Sequence, residues 1–156
     1  RYIDTSLSNF INTLIISCYS FTEISKLASS MMKNGGSLLT LSFYGANKVM
    51  PNYNVMGVAK AALEMSVKYL SVDLGKNNIR VNAISAGPMR TIAGAAIAKA
   101  REVYKYTEKN SPLHRNVRLD ELGNTALYFV SDLSKAVSGE IHYVDCGFNI
   151  IGMPQY

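Results

Sequence analysis

The stretch LLTLSFYGANKVMPNYNVMGVAKAALE, residues 38–64, contains a strand pattern and a helix pattern with a turn between them. The apolar run from Ser37 to Phe43 is typical of a strand buried on both faces. Pro51 and Asn52 indicate a turn, and a long helix is predicted from about Tyr53 to Leu74. Small and apolar residues recur on that helix at i, i+3 and i+4 spacing, which predicts a face packed on a sheet. This stripe consists of Val55, Val58, Ala59, Ala62, Leu63, Ser66, Val67 and Leu70.

The rest of the chain alternates between the same two patterns. A helical pattern covers residues 9–32, and further helices are predicted at about 91–109 and 118–134. Two more strands are predicted at residues 79–85 and 140–147. This order is typical of a parallel sheet with right-handed crossovers and helices on both faces. We therefore expect an α/β fold, the C-terminal half of a doubly wound Rossmann-type sheet, with residues 1–156 as one partial domain. The first strand is expected to leave an apolar flank exposed at the sheet edge.

Composition and charge exclude several classes of function. The 156 residues carry a formal net charge of +5, and the 16 Lys and Arg residues are scattered. We therefore expect neither a nucleic-acid patch nor a polybasic membrane anchor. No apolar run approaches the roughly 20 residues that a membrane-spanning helix needs. Cys18 and Cys146 lie far apart, and His114 and His142 are isolated, so free thiols and no metal site are expected.

Tyr53 and Lys60 form the candidate catalytic pair. Seven residues of helix turn through about 700°, so both side chains would share one face, about 10.5 Å apart along the axis. The helix begins just beyond a strand, where open α/β sheets bind their ligands. A nearby ammonium lowers the pKa of a tyrosine from about 10 by favouring the phenolate. An arbitrary pair at this spacing is more often a helix-start aromatic and a surface lysine, so the surrounding sequence has to decide.

The surrounding motifs favour the catalytic interpretation. The stretch quoted above, followed by IRVNAISAGPMRT at residues 79–91, resembles the short-chain dehydrogenase/reductase superfamily. More narrowly, it resembles the enoyl-acyl-carrier-protein reductases of bacterial-type fatty-acid synthesis. Most of the superfamily has its lysine four residues after the tyrosine; here Gly57 occupies that position, and the wider step to Lys60 is typical of enoyl reductases. The similarity continues through LGNTALYFVSDLS and SGEIHYVDCGF, and so covers nearly the whole chain.

The resemblance implies a reaction in which NADH reduces the trans-2 double bond of an enoyl thioester on acyl-carrier protein. Negative charge would develop on the thioester oxygen, and Tyr53 would donate a hydrogen bond to it. Lys60 would hold the nicotinamide ribose and support Tyr53 electrostatically.

The resemblance also implies the other contacts. A loop shaped by Gly87 and Pro88 would cover the nicotinamide and pyrophosphate, and the helix after it would be a mobile flap around the acyl chain. The implied cofactor-binding residues are Lys60, Ala86, Gly87, Pro88, Met89, Arg90, Thr91, Ile92 and Ala93. The implied substrate residues are Phe43, Tyr44, Tyr53, Met56, Ile97, Ala100 and Val103, of which the last three are equally compatible with plain core.

The chain departs from the family at three points. The family usually has a second tyrosine ten residues before the catalytic one; here Phe43 holds that position and Tyr44 follows it. Neighbouring side chains of an extended segment point to opposite faces, so Tyr44 is not expected to replace it. Cys146 stands where glycine is common, which predicts strain in that turn. There is no glycine-rich phosphate loop and no ribose-selecting residue, so the half that binds adenosine is expected to be missing and this chain alone to bind no NADH.

Two other interpretations stay open. One is another short-chain dehydrogenase such as a 3-oxoacyl reductase, against which the wide spacing argues. The other is a truncated or degenerate fragment without independent activity. The resemblance also implies a homotetramer in the bacterial cytoplasm or an organellar stroma. Ala59, Ala62 and Ser66 would let helices of neighbouring subunits approach, although they could equally pack within the chain.

Overall fold

Three parallel strands form a single sheet in the order β1–β2–β3. The computed structural model describes residues 1–92 and 99–154. The strands are β1 (Gly36–Phe43), β2 (Ile79–Ala86) and β3 (Ile141–Val144). Phe43 lies opposite Ala86, and Ala86 lies opposite Val144, so all three strands end at the same edge. The predicted parallel sheet is therefore confirmed, with a shorter third strand than expected.

The helices lie on both faces of this sheet. Within the described residues they are α1 (Leu7–Leu14), α2 (Ser20–Met31), α3 (Val55–Gly75), α4 (Ala100–Asn110) and α5 (Leu119–Val130). A π-helical turn, Ile15–Tyr19, joins α1 to α2. Short 3-10 turns lie at Tyr2–Asp4, Tyr44–Ala46, Asp132–Ser134 and Phe148–Ile150. No helix among the described residues is both long and apolar enough to cross a membrane.

The start of one helix differs from the prediction. Helix α3 begins at Val55 rather than Tyr53, because Asn52 and Asn54 have left-handed backbones with φ of 62° and 44°. Helix α4 follows Lys99, which has φ of 64°, and residues 93–98 of the helix predicted from about Thr91 lie outside the described residues. A left-handed residue cannot continue a right-handed helix. Tyr53 therefore lies in the turn before α3.

The core has one apolar cluster on each face of β2. On the α3 side, Val67 packs with Ile79, Val81 and Ala83. The α5 side combines Ile84, Ala86, Leu122 and Phe129. Alternation of side chains along β2 sends successive residues to opposite faces, which explains the two clusters.

Strand β1 is only partly buried, which corrects the expectation of a strand buried on both faces. Within residues 1–92 and 99–154 it pairs with β2 alone, and Leu41 keeps 49% of its surface exposed. The expected apolar flank at the sheet edge is therefore present.

The small residues of α3 pack partly within the chain. Ala59 is fully buried, and the Ser66 hydroxyl lies 3.5 Å from the Cys18 thiol on the π-helical turn. Cys18 and Cys146 are both free thiols, as predicted.

Candidate active site

The candidate site lies at the edge where the three strands end. Residues that follow the strands are brought together there: Tyr44 after β1, Gly87 after β2 and Asp145 after β3. The Gly87 amide donates to the Val144 carbonyl at 2.9 Å. A Cβ at Gly87 would lie 2.9 Å from the Cα of Asp145, so only glycine allows the two post-strand segments this approach.

The Tyr53 side chain lies in this region, held by aromatic and glycine contacts. Its ring meets the Phe43 ring edge-on, with centroids 4.9 Å apart. A Cβ on Gly45 would lie 2.5 Å from Cδ1 of Tyr53, so the absence of a side chain at Gly45 makes room for the ring. Burial raises the pKa of Tyr53 to about 12. The phenol is therefore protonated throughout the neutral range.

Lys60 occupies the second turn of α3 and reaches the end of β1. Its Nζ donates to the carbonyl of Leu41 at 2.8 Å. Burial lowers the pKa of Lys60, while Glu64 and Cys18 act in the opposite direction. The expectation that the Lys60 ammonium lowers the pKa of Tyr53 is wrong here, because burial governs the tyrosine and raises its pKa.

Phe43 and Tyr44 point to different surroundings, as the strand geometry predicts. Phe43 packs on Tyr53, whereas the Tyr44 ring packs edge-on against Phe148 at 5.4 Å. Phe148 in turn contacts Tyr106 of α4 at 6.1 Å. Burial, followed by the charge of Asp145 and by Tyr106, raises the pKa of Tyr44. Tyr44 therefore does not take the place of a tyrosine at position 43.

The predicted cofactor loop leaves β2 at this edge and turns outward. Ala86 and Gly87 are buried, Pro88 is half-buried and Met89 packs on the α5-side cluster. The Arg90 guanidinium lies over the Tyr104 ring of α4, 4.9 Å from its centroid. Thr91 and Ile92 are exposed. Ala93 lies outside the described residues.

The predicted substrate residues are spread over several elements. Ala100 and Val103 are half-buried in the first turn of α4. Met56 points towards the π-helical turn, where the Ser17 hydroxyl donates to its sulfur at 3.6 Å. Ile97 lies outside the described residues. Of the predicted site residues that the structure describes, Phe43 and Tyr53 are in direct ring contact.

A groove of about 380 Å³ opens beside Tyr53, between the 3-10 turn after β1 and the start of α3. Tyr2, Met50, Gly57 and Val58 contribute to its walls. Among the described residues of the predicted site, Tyr53 alone lines it.

A buried polar network, which no sequence pattern predicted, lies around Glu64, one helical turn after Lys60. Glu64 is only 9% exposed, and its carboxylate accepts hydrogen bonds from Ser42 at 2.5 Å and from Asn47 at 3.0 Å. The Asn47 amide also donates to the Tyr143 hydroxyl at 2.9 Å. Ser42, Ser85 and Tyr143 form one row across the sheet in register. The available signal was an acidic residue four positions after Lys60, next to the apolar stripe of α3.

The turn after β3 has the strain predicted at Cys146. Cys146 has φ of 59° and Gly147 has φ of 85°. The Asp145 carboxylate accepts from the amides of Gly147 and Asn149, at 3.0 and 2.8 Å. Within the described residues, no group of three or more His, Cys, Asp or Glu side chains could hold a metal ion.

The chain resembles known proteins over nearly its full length. The family profile described as Enoyl-(Acyl carrier protein) reductase matches residues 1–149. An enoyl-[acyl-carrier-protein] reductase [NADH] FabI from Rickettsia typhi is 60% identical over 152 residues, covering 97% of this chain and 58% of that protein. The corresponding reductase 2 of Rhizobium meliloti is 60% identical over 153 residues, covering 98% of this chain and 57% of that protein. The chain thus spans somewhat more than half the length of these curated relatives.

Solved structures show the same fold. The crystal structure of an enoyl-(acyl-carrier-protein) reductase from Anaplasma phagocytophilum in complex with NAD has a TM-score of 0.96 and 58% identity, covering 100% of this chain and 60% of that one. The structure of FabI from Candidatus Liberibacter asiaticus has a TM-score of 0.97 and 54% identity, covering 99% and 60% of the two chains.

Proposed function

Because the chain belongs to the enoyl-(acyl carrier protein) reductase family, we propose that it supplies the catalytic residues of an NADH-dependent enoyl-acyl-carrier-protein reductase. The reaction is reduction of the trans-2 double bond of an enoyl thioester during fatty-acid elongation. The observation that carries the proposal is the placement of Tyr53 and Lys60 at the carboxyl edge of the sheet, seven residues apart. The names of the relatives support the substrate and the cofactor.

Tyr53 acts in this proposal as a hydrogen-bond donor. A pKa raised to about 12 by burial keeps the phenol protonated at neutral pH. A neutral phenol can donate a hydrogen bond to the thioester oxygen. That bond stabilises the negative charge that develops on this oxygen in the transition state, and so lowers the barrier. The Phe43 ring fixes one side of the tyrosine and supplies an apolar wall.

Lys60 and the loop after β2 suit the nicotinamide end of a dinucleotide. An ammonium has three donors, and the Leu41 carbonyl takes one, so donors are left for ribose hydroxyls. The loop begins directly after Ala86, at the end of β2, and Thr91 within it is exposed. When bound, NADH would supply the hydride, and Lys60 and this loop would orient it.

The decisive test uses the protein with its complete natural chain and follows NADH oxidation with a crotonyl thioester. Tyr53→Phe should lower kcat by about 100-fold or more, the loss typical of one missing oxyanion donor. Tyr128→Phe on α5 is a matched control, because that side chain is 38% exposed and lies outside the proposed site. Turnover of 3-oxoacyl but not enoyl thioesters would contradict the proposal.

The proposal includes a homotetramer in the bacterial cytoplasm or an organellar stroma. Large apolar side chains remain exposed on adjoining helices: Ile11 on α1, and Met65, Tyr69 and Val72 on α3. Light scattering on the complete protein should give a tetramer, and Val72→Glu should reduce the mass. Leu133→Glu, at an exposed site away from these helices, is the control. A monomeric wild-type protein would refute the assembly.

A further inference from the structure

Glu64 is a buried carboxyl group that the proposed chemistry does not use. It lies on α3 with 9% of its surface exposed. A buried carboxylate is unfavourable unless hydrogen bonds or an opposite charge compensate it. Ser42 of β1 and Asn47 beyond β1 each donate to one of its oxygens. Both donors are neutral, so neither of them brings an opposite charge to the carboxyl group.

Lys60 carries an opposite charge on the preceding turn of the same helix. Residues four apart lie on one face of a helix, so Lys60 and Glu64 are neighbours along α3. Their partners on β1 are also neighbours: Lys60 binds the carbonyl of Leu41 and Glu64 binds the hydroxyl of Ser42. Two side chains of opposite charge thus attach consecutive turns of α3 to consecutive residues of β1.

We infer that Glu64 is a positioning residue for Lys60, holding its ammonium charged and fixed at the end of β1. The catalytic meaning of this inference rests on the proposed function, but the electrostatic relation does not. Burial disfavours the ammonium, and the titratable groups that act on it in the opposite direction are Glu64 and then Cys18 of the π-helical turn. With a neutral residue at position 64, only Cys18 of these two groups would still oppose the effect of burial on Lys60.

The test is the titration of Lys60 in protein labelled with carbon-13 at lysine Cε, with the resonance assigned from Lys60→Arg. Glu64→Gln should lower the titration midpoint of Lys60 by about one pH unit, the lower end of the effect of a lost opposite charge. Glu108→Gln, at an exposed position of α4, should leave it unchanged. An unchanged midpoint in Glu64→Gln, even with altered stability, would overturn the inference.

A second variant guards against misfolding. In Glu64→Gln the new amide can face the Asn47 amide, which places two donors against each other. Glu64→Gln combined with Asn47→Ala removes this conflict and should show the same fall in the Lys60 midpoint; an unchanged midpoint again overturns the inference.

An activity arm separates this inference from the proposed function. In the complete enzyme, the alkaline limb of kcat against pH should move to lower pH in Glu64→Gln by the same amount as the Lys60 midpoint. A shifted midpoint in a protein whose wild type reduces no enoyl thioester supports the electrostatic relation and refutes the proposed function. If the Lys60 midpoint shifts in Glu64→Gln while the alkaline limb of kcat against pH stays where it is, the positioning role is refuted.

Discussion

Gly45→Ala tests whether the placement of Tyr53 determines activity. The added methyl carbon would lie 2.5 Å from Cδ1 and 2.8 Å from Cε1 of the Tyr53 ring. Carbon atoms in contact are normally about 3.5–4.0 Å apart, so the ring has to move by about 1 Å. The backbone of Gly45 is not left-handed, so alanine itself is compatible with the position.

The expected effect on activity exceeds the effect on stability. A displacement of about 1 Å in a reacting group lowers the rate by about 100-fold, and we expect that loss in kcat/KM. Overpacking generally costs about 1–3 kcal/mol, and the lower end applies here because the ring is only partly buried. The assay is NADH oxidation with a crotonyl thioester, paired with urea unfolding.

A second measurement does not depend on catalysis. Moving the Tyr53 ring towards solvent should lower its pKa from about 12 towards 10, measured by carbon-13 tyrosine NMR. Gly123→Ala is the control, because a Cβ there meets nothing within 4 Å and alanine favours the helix by about 1 kcal/mol. A Gly45→Ala protein with wild-type kcat/KM and an unchanged Tyr53 titration would refute the reasoning.

Three further predictions concern stability. The pKa of Tyr53 is about 12 in the folded protein and 10 in the unfolded one, so Tyr53 contributes about 2 kcal/mol to the free energy of unfolding. This contribution is complete below pH 10 and is lost as the pH rises to 12. Tyr53→Phe should therefore flatten that part of the urea-stability curve. Cys146→Gly should raise stability by about 1 kcal/mol in thermal unfolding, because φ of 59° penalises a side chain, and unchanged or lower stability would show no strain there. Arg115 and then the Arg118 amide hold the pKa of Glu121 at about 2 against 4.5 unfolded. Its contribution should be complete above pH 4.5 and lost as pH falls to 2, and Glu121→Gln should reduce that acid sensitivity whereas Glu108→Gln should not.

Local patterns were sufficient for the strands and the overall α/β order. Short apolar runs in β1 and β2, separated by a long amphipathic helix, fit only a parallel arrangement, and the sheet has that arrangement. These features depend on sequence periodicity, which a single chain displays directly. The family was predicted differently, from the resemblance of the motifs around Tyr53 and Lys60, and the family profile confirms it.

The sign of φ at single residues and the long-range contacts of the sheet could not be predicted from such patterns. Asn52 and Asn54 delay the start of α3 to Val55 because asparagine tolerates positive φ, but asparagine also occurs in ordinary turns. Lys99 also has positive φ, but lysine is not a residue type that favours this conformation. The hydrogen bonds of Glu64 depend on which residue of β1 faces α3, and that is set by the packing of the whole sheet.

Burial also reverses the electrostatic relation expected between Tyr53 and Lys60, the proposed catalytic pair. An exposed pair would lower the tyrosine pKa and prepare a phenolate, but the burial of Tyr53 raises its pKa to about 12, and burial lowers that of Lys60. Lys60 therefore loses its proton before Tyr53 as pH rises. In the proposed mechanism the tyrosine would stay a hydrogen-bond donor at neutral pH, and the positive charge of Lys60 would be the feature that has to be maintained. Of the groups around Lys60, Glu64 is the first that opposes the effect of burial on its pKa.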